Sequence, residues 1–419
     1  SMILGATILF GLAPFRTPPS QGEARASFLF WPLLLGVWAG LAGVFLGNDL
    51  FSIYVALELL TFAAVPLVCL DGRAETLSAA LRYLLFALLG SLLYLLGTGL
   101  LYGTYGTLDL TLLASRLGPE PATLAAMALM TVGLMAKTAL FPLHLWLPPA
   151  HAGAPSAASA VLSALVVKAS FFLIVRIWFD LMPELLHEMA AQLLAAMGAG
   201  AILFGSLLAL RQRRLKMLIA YSTVAQIGYL FLMFPLAADP GSALAGAAVS
   251  ASALTGGMLQ AISHAFAKAA MFMAAGLIAE AAGHDRIADL GGIGKALPMA
   301  VAGFALGGLS LVGVPPSGGF WAKWLLLTAA IDTGQWWWAM AMLAGGLLAA
   351  GYVFRALAPA LARAGAPATP FAPVSRFREA IVLGLALCSL LLGLMAFAPL
   401  DVMRIGQPGT PVASGGVAR

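Results

Sequence analysis

Charge is what this sequence has least of. Asp, Glu, Lys and Arg make up 9% of its 419 residues, against about 25% in an ordinary soluble domain. That scarcity excludes a water-exposed surface over most of the chain. Cysteine is almost missing: Cys69 and Cys388 lie far apart, each inside an apolar run. Two dispersed thiols hold neither an iron–sulfur cluster nor a zinc site, which need clustered ligands. They read as small buried fillers. There is no GxGxxG and no GxxxxGK[ST] phosphate loop. The chain is therefore expected to carry no redox, metal or nucleotide cofactor of its own. The net charge of +5 does not point to nucleic acid. The basic residues sit in short loops between apolar runs, where membrane topology puts them.

What the chain has is apolar length. It is 62% hydrophobic, and long apolar runs recur from end to end. Runs of 18 or more residues, rather than alternating segments of about ten, predict an all-α polytopic membrane protein and not a β-barrel. Spans are expected at 28–46, 50–70, 77–101, 123–147 (broken), 157–179, 190–210, 216–235, 243–282 (long and interrupted), 298–331 (broken), 336–360 and 379–400, about eleven helices. Residues 1–27 form a stub. Its apolar part, 3–15, is too short to span and lacks the basic start of a signal peptide, so it reads as the tail of a helix. Residues 401–419 form a tail.

Lys and Arg divide unevenly between the two faces these spans define. Fourteen fall on one side: Arg16, Arg25, Arg73, Arg82, Arg211, Arg213, Arg214, Lys216, Arg286, Lys295, Arg355, Arg363, Arg376 and Arg378. Four fall on the other: Arg116, Arg176, Arg404 and Arg419. By the positive-inside rule the first side is cytoplasmic and the C-terminus lies outside, in a bacterial inner membrane. The Trp336-Trp337-Trp338 cluster reads as an outer interfacial belt. Two blocks of five spans share a plan, 28–180 and 190–360, followed by a final helix at 379–400. The fourth span of each is interrupted, by FPLHLWLPPAHAGAP in the first and VGVPPSGGF in the second. An odd number of helices makes the blocks inverted relative to each other, with the transport site expected near the midplane.

Ionisable residues inside the spans carry the functional signal. Each costs roughly 3 kcal/mol on insertion scales. Glu58 lies in FSIYVALELLTFAAVPLV. Lys137 and Lys168 flank the first break, and Lys323 follows the second. Lys268 comes four residues after His264, so the two share a helix face. A lysine out of water loses its preference for charge, and a nearby carboxylate restores it. Glu58 beside Lys137 is thus expected to act as a proton switch, followed by Lys168, His264/Lys268 and Lys323. A structural reading stands beside this one, in which each lysine only pairs with a carboxylate or with helix-end carbonyls. His144 and His151, in the first break, either relay protons or satisfy freed backbone groups; the sequence leaves both open.

LMAKTALFPLHLWLPPAHAGAPSAASAVLSALVVKA, LKMLIAYSTVAQIGYLF, HAFAKAAMFMAAGLI and LSLVGVPPSGGFWAKWLLL, in that order, resemble the antiporter-like subunits of respiratory complex I. Mrp-type cation/proton antiporters and membrane-bound hydrogenases have related subunits. GNDLFSIYVALELL resembles the helix bearing that family's glutamate, and the likeness covers about residues 28 to 400. The resemblance implies two inverted five-helix repeats, forming inlet and outlet half-channels joined by a polar axis. It assigns Glu58 and Lys137 to the glutamate–lysine pair, Lys168 to the linking position, His264 and Lys268 to the centre, and Lys323 to the outlet. Relatives have about three further helices at the start, and some carry histidine where Gln226 stands. The expected function is proton translocation within a multisubunit membrane complex, with no catalytic site in this chain and other membrane subunits as partners. Such a complex would be a translocating oxidoreductase of the NADH/quinone or hydrogenase type. Two rivals are an Mrp-type sodium/proton antiporter subunit and a docking scaffold of a hydrogenase or inorganic-carbon uptake complex.

Overall fold

Backbone N–H and C=O groups in hydrocarbon find no water, so each apolar run must satisfy its own by coiling. The computed structural model describes residues 1–15, 25–181, 188–237, 245–362 and 371–394, and no strand occurs among them. In chain order the helices are α1 (Met2–Gly11), α2 (Arg25–Leu46), α3 (Leu50–Val68), α4 (Ala74–Tyr105), α5 (Leu110–Ala114), α6 (Pro121–Thr138), α7 (Leu147–Gly153), α8 (Ser156–Val161), α9 (Val167–Val175), α10 (Glu188–Arg211), α11 (Leu215–Phe231), α12 (Met233–Ala237), α13 (Ala245–Ala282), α14 (Ile293–Ala296), α15 (Pro298–Val312), α16 (Gly318–Asp332), α17 (Trp336–Leu361) and α18 (Arg376–Leu394). Among the described residues ten segments are long and apolar enough to cross a membrane. The eleventh expected span, 298–331, is divided into α15 and α16. Arg16, His187, Arg363, Arg404, Arg419, the tail and the end of the last span beyond 394 lie outside the described residues.

Three expectations are corrected. The span at 243–282 was expected to be interrupted, but α13 runs unbroken over 38 residues, about 57 Å at 1.5 Å per residue. Its Gly256 and Gly257 leave room for α16 and for Met233 rather than breaking the helix. The tryptophan belt is only partly a belt. Trp336 and Trp337 are exposed, whereas Trp338 is buried and its indole N–H donates to Gln192 and Gln335. Cys69 and Cys388 are half-buried and unpaired rather than fully buried.

Helix ends are built from local chemistry. Asp49, Asp109 and Ser317 accept from the N–H groups of Ser52, Leu112 and Phe320 and start α3, α5 and α16. Gly106 and Gly313 end α4 and α15 with φ of 68° and 88°. Two hairpins then close through glycine in the same register. A Cβ on Gly40 would lie 2.9 Å from the N of Leu60, and one on Gly205 would lie 2.7 Å from the N of Ala225. Both contacts join residues twenty apart (60 − 40 and 225 − 205), so α2–α3 and α10–α11 cross alike. Gly90 of α4 meets Gly133 of α6 just as closely, at 2.5 Å from a Cβ to the Gly133 carbonyl oxygen. Small residues give such approaches, which substitute for a hydrophobic drive between helices in lipid.

Two loop clasps tie the ends of the bundle. On one, Arg214 pairs with Asp285 at 2.9 Å beside an Arg214–Arg286 bridge, and Arg378 pairs with Glu280 at 2.8 Å. On the other, Asp49 bridges to Asp109, and Arg176 donates to the Gly47 carbonyl at the end of α2.

Candidate proton pathway

The first break sets the position of Lys137. Helix α6 ends at Thr138, and Ala139 takes φ 61°, turning the chain out of the helix. The peptide Phe141–Pro142 is cis, as is Pro315–Pro316 in the second break. The break leaves carbonyls of α6 without helical partners. The indole N–H of Trp146 takes one of them, Ala136, at 2.9 Å, and Trp146 stacks on Tyr83 at 4.2 Å between ring centres. Lys137, in the last turn of α6, thus sits on a fixed helix end.

Its ammonium reaches α3. Nζ lies 3.3 Å from Glu58 Oε1 and 2.8 Å from Thr61 Oγ1, and the two charged side chains are 6% and 15% exposed. The hydroxyl of Ser91 on α4 also donates to Glu58. A carboxylate with one ammonium and one hydroxyl donor is satisfied where water is scarce. Beyond Lys137, a cavity of about 10 Å³, about the size one water needs, is lined by Thr61, Tyr83, Lys137, Val166 and Ser170. Ser170 in turn accepts from Thr138 at 3.0 Å.

The next span is not a plain helix. Between α8 and α9 the chain widens into a π turn, Leu162–Val166, and a second π turn, Arg176–Leu181, follows α9. Such turns disturb the i→i−4 ladder and leave carbonyls open. The ammonium of Lys168 donates to one of them, Ser163. From there polar contacts run on. Ser163 Oγ bonds Thr223 Oγ1 of α11 at 2.9 Å, and Thr223 donates to the Ile219 carbonyl at 2.9 Å. That carbonyl also accepts from Lys268 Nζ at 3.0 Å, and Lys268 donates to Ser222 Oγ at 2.5 Å. Lys268 is fully buried.

Past Lys268, the Tyr352 hydroxyl faces both Ser222 and Gln226. Gln226 donates to Tyr352 at 3.4 Å and to the Leu311 carbonyl at 3.1 Å, and accepts from Gln260 at 2.9 Å. Leu311, in the last turn of α15, is where Lys323 docks. Lys323 Nζ lies 2.5 Å from the Leu311 carbonyl, 3.2 Å from that of Val312 and 4.2 Å from the centre of the Tyr229 ring. Cations are favoured at a helix C-terminus and over an aromatic face. Its stem borders a cavity of about 500 Å³ between α16 and α17.

The structure therefore brings Glu58 and Lys137 into an ion pair and lines Lys168, Lys268 and Lys323 along one polar run. His264 is buried on α13, four residues before Lys268 and on the same helix face. His151 lies close to Lys168, Lys268 and Lys216, against Phe272 at 4.5 Å. Both rings are buried, with neither nitrogen bonded to protein, the condition in which a buried group recruits water. His144 is placed differently. It packs on Phe141 and Phe204, with Nδ1 unbonded. Gln226 was marked in the sequence only as standing where some relatives carry histidine, and Ser163, Thr223, Ser222, Tyr352 and Gln260 were not read from the sequence as part of the path. Neutral polar residues in Ala- and Gly-rich helices look like packing. The one available signal was the density of such residues in YSTVAQIGY, which is high for a span.

A family profile described as "NADH:quinone oxidoreductase/Mrp antiporter, TM" matches residues 47–349. The subunit N of NADH-quinone oxidoreductase from Desulforudis audaxviator is 36% identical over 393 residues, covering 90% of this chain and 74% of that one. An Na(+)/H(+) antiporter subunit from Alkalihalophilus pseudofirmus is 29% identical over 352 residues, covering 83% and 67%. The present chain thus spans about two-thirds to three-quarters of the length of these curated relatives. A chain in the structure of the Mrp complex from Dietzia sp. superposes with a TM-score of 0.82 at 24% identity, over 96% of this chain and 80% of that one. That likeness concerns the fold.

Proposed function

The chain belongs to the NADH:quinone oxidoreductase/Mrp antiporter transmembrane family, and from that premise we propose that it moves protons across the membrane as an antiporter-like subunit of a multisubunit complex. The observation that carries the reading is the polar run through the bundle: Lys168, Ser163, Thr223, Lys268, Ser222, Tyr352, Gln226 and Lys323, joined at the Ile219 and Leu311 carbonyls. Polar groups cost too much in hydrocarbon to be lined up without use.

Glu58 and Lys137 form the switch at the inlet. A proton arriving on Glu58 discharges the carboxylate, and Lys137 then loses the anion that held its charge. Its proton passes by water to Lys168, then through His264 and Lys268, and leaves from Lys323. His151 fits a side entry to Lys268. The equal register of the α2–α3 and α10–α11 hairpins supports two inverted five-helix blocks, 28–180 as the inlet half and 190–360 as the outlet half. The uneven spread of Lys and Arg supports a cytoplasmic arginine-rich face, a C-terminus outside and a bacterial inner membrane. The chain offers no chemistry to drive transport, so partner subunits supply it, as an oxidoreductase would.

The likeness to an Na(+)/H(+) antiporter subunit favours a second reading, in which a cation gradient is exchanged for protons. A sodium path calls for carboxylates, and Glu58 is the single one that meets the axis among the described residues, which favours protons.

The test is reconstitution of the native complex in vesicles with a trapped pH dye and an imposed potassium–valinomycin potential. Lys137→Ala is expected to abolish the proton flux while the complex still assembles. Normal flux in that variant overturns the pathway and leaves the scaffold reading standing. A flux that needs external sodium supports the cation-exchange reading.

A further inference from the structure

Three serines outside the run just described meet at the second break. Ser263 comes from α13, Ser310 from α15 and Ser389 from α18. Ser263 Oγ lies 2.9 Å from Ser310 Oγ and 3.1 Å from Ser389 Oγ, and Ser389 Oγ lies 2.8 Å from Ser310 Oγ. Ser389 also reaches the Ser263 carbonyl at 3.2 Å. All three are buried. We propose that this ring of hydroxyls is a proton relay that leads from His264 to the α15–α16 break, and that α18 is thereby part of the pathway. The inference rests on the proton-translocation reading above.

Ser263 adjoins His264, whose ring nitrogens are both unbonded, and Ser310 adjoins Leu311, whose carbonyl holds Lys323. The ring therefore adjoins the backbone of the central histidine on α13 and the end of α15 that holds the outlet lysine. It also lies directly under the break. A Cβ on Gly318 would come 3.1 Å from Ser263 Oγ, one on Gly319 would strike the Ser310 carbonyl, and one on Gly393 of α18 would strike that of Pro316. The break itself is open on its far side, with Val314, Pro315 and Pro316 exposed.

Three hydroxyls in a closed ring can point their protons in either sense, and for two of the three contacts either oxygen can donate. A proton from His264, carried by one water, forms a new O–H bond on Ser263. Ser263 gives up its former proton to Ser310 or Ser389, which passes its own to water at the break. Each oxygen makes one O–H bond and loses one, no charge stays behind, and rotation of the hydroxyls restores the ring. Hydroxyls that serve only to join helices contribute little in a bilayer, and a pair suffices for that. Here the third comes from a helix outside both five-helix blocks.

The experiment uses the same reconstituted complex, with Ser389→Ala, Ser389→Thr and Lys137→Ala side by side. Ser389→Ala is expected to lower the proton flux at least tenfold with unchanged assembly. Ser389→Thr, which restores the hydroxyl, should stay within about twofold of the parent. Parental flux in Ser389→Ala with Lys137→Ala silent overturns the relay alone. Parental flux in both overturns the translocation reading itself. A joint loss in the Ala and Thr variants means that Ser389 acts by packing, and also overturns the relay. If Ser389→Ala blocks assembly, Ser310→Ala and Ser310→Thr are compared by the same criteria.

Discussion

Replacing Glu58 by Gln is the sharpest perturbation of the proposed inlet. It keeps the shape and leaves an oxygen for Ser91, but removes the charge facing Lys137. At 3.3 Å the attraction is roughly 5 kcal/mol for an effective dielectric constant of about 20, and roughly 1 kcal/mol if water screened it fully. The carboxylate is 15% exposed and the ammonium 6%, so the true value lies between those limits. A factor of ten in population is worth about 1.4 kcal/mol. The ratio of ammonium to free amine at Lys137 should therefore fall about fivefold or more, with only the 2.8 Å contact to Thr61 left to hold the charge. Proton flux in vesicles should fall by at least that factor, while a native gel shows the complex intact. Thr61→Ala removes one neutral acceptor and should cost less than Glu58→Gln. If Glu58→Gln pumps within twofold of the parent, or if Thr61→Ala is the more damaging, the charge switch is wrong.

Two further outcomes follow from packing and from the loops. Gly90→Ala would place a methyl 2.5 Å from the Gly133 carbonyl and 3.1 Å from Lys137 Cγ. Overpacking of this kind costs about 1–3 kcal/mol, so the complex should melt earlier and pump more slowly; a lower melting point with full flux would separate the crossing from the function of Lys137. In the turn between α3 and α4, burial pushes the Asp71 carboxyl up, but hydrogen bonds from Thr76 and Arg73 outweigh it and hold it below the usual range. Its stabilisation, under about 1 kcal/mol for so exposed a pair, is present above pH of about 4 and lost as pH falls through the lower folded value. Asp71→Asn should speed hydrogen exchange at the start of α4 at pH 7, and an unchanged exchange rate there would remove Asp71 from the turn's support.

The architecture was legible because hydrocarbon is an unforgiving solvent. Spans stand out as apolar length, and the glutamate and lysines stand out because a charge inside such a run is costly. The two breaks were visible as proline and glycine. The π turns around Lys168 were not, since Leu162–Val166 has an ordinary helical composition. The 243–282 span shows the opposite error: it was expected to be interrupted, yet α13 is continuous, and its Gly256 and Gly257 serve close contact with α16 and Met233. Thr223, Tyr352 and the three serines were illegible for another reason. Their significance lies in which helices meet, and residues such as Ser263, Ser310 and Ser389 are brought together only by the tertiary fold.

The two end lysines differ in a way that bears on direction. Lys137 faces an acid, a partner that the travelling proton can itself erase. Lys323 faces two peptide carbonyls and a tyrosine ring, whose polarity no proton can cancel. One terminal is adjustable and the other is wired in place. Under the proposed proton pathway, unlike terminals make a rectifier: reversing the voltage across the membrane would not simply reverse the current.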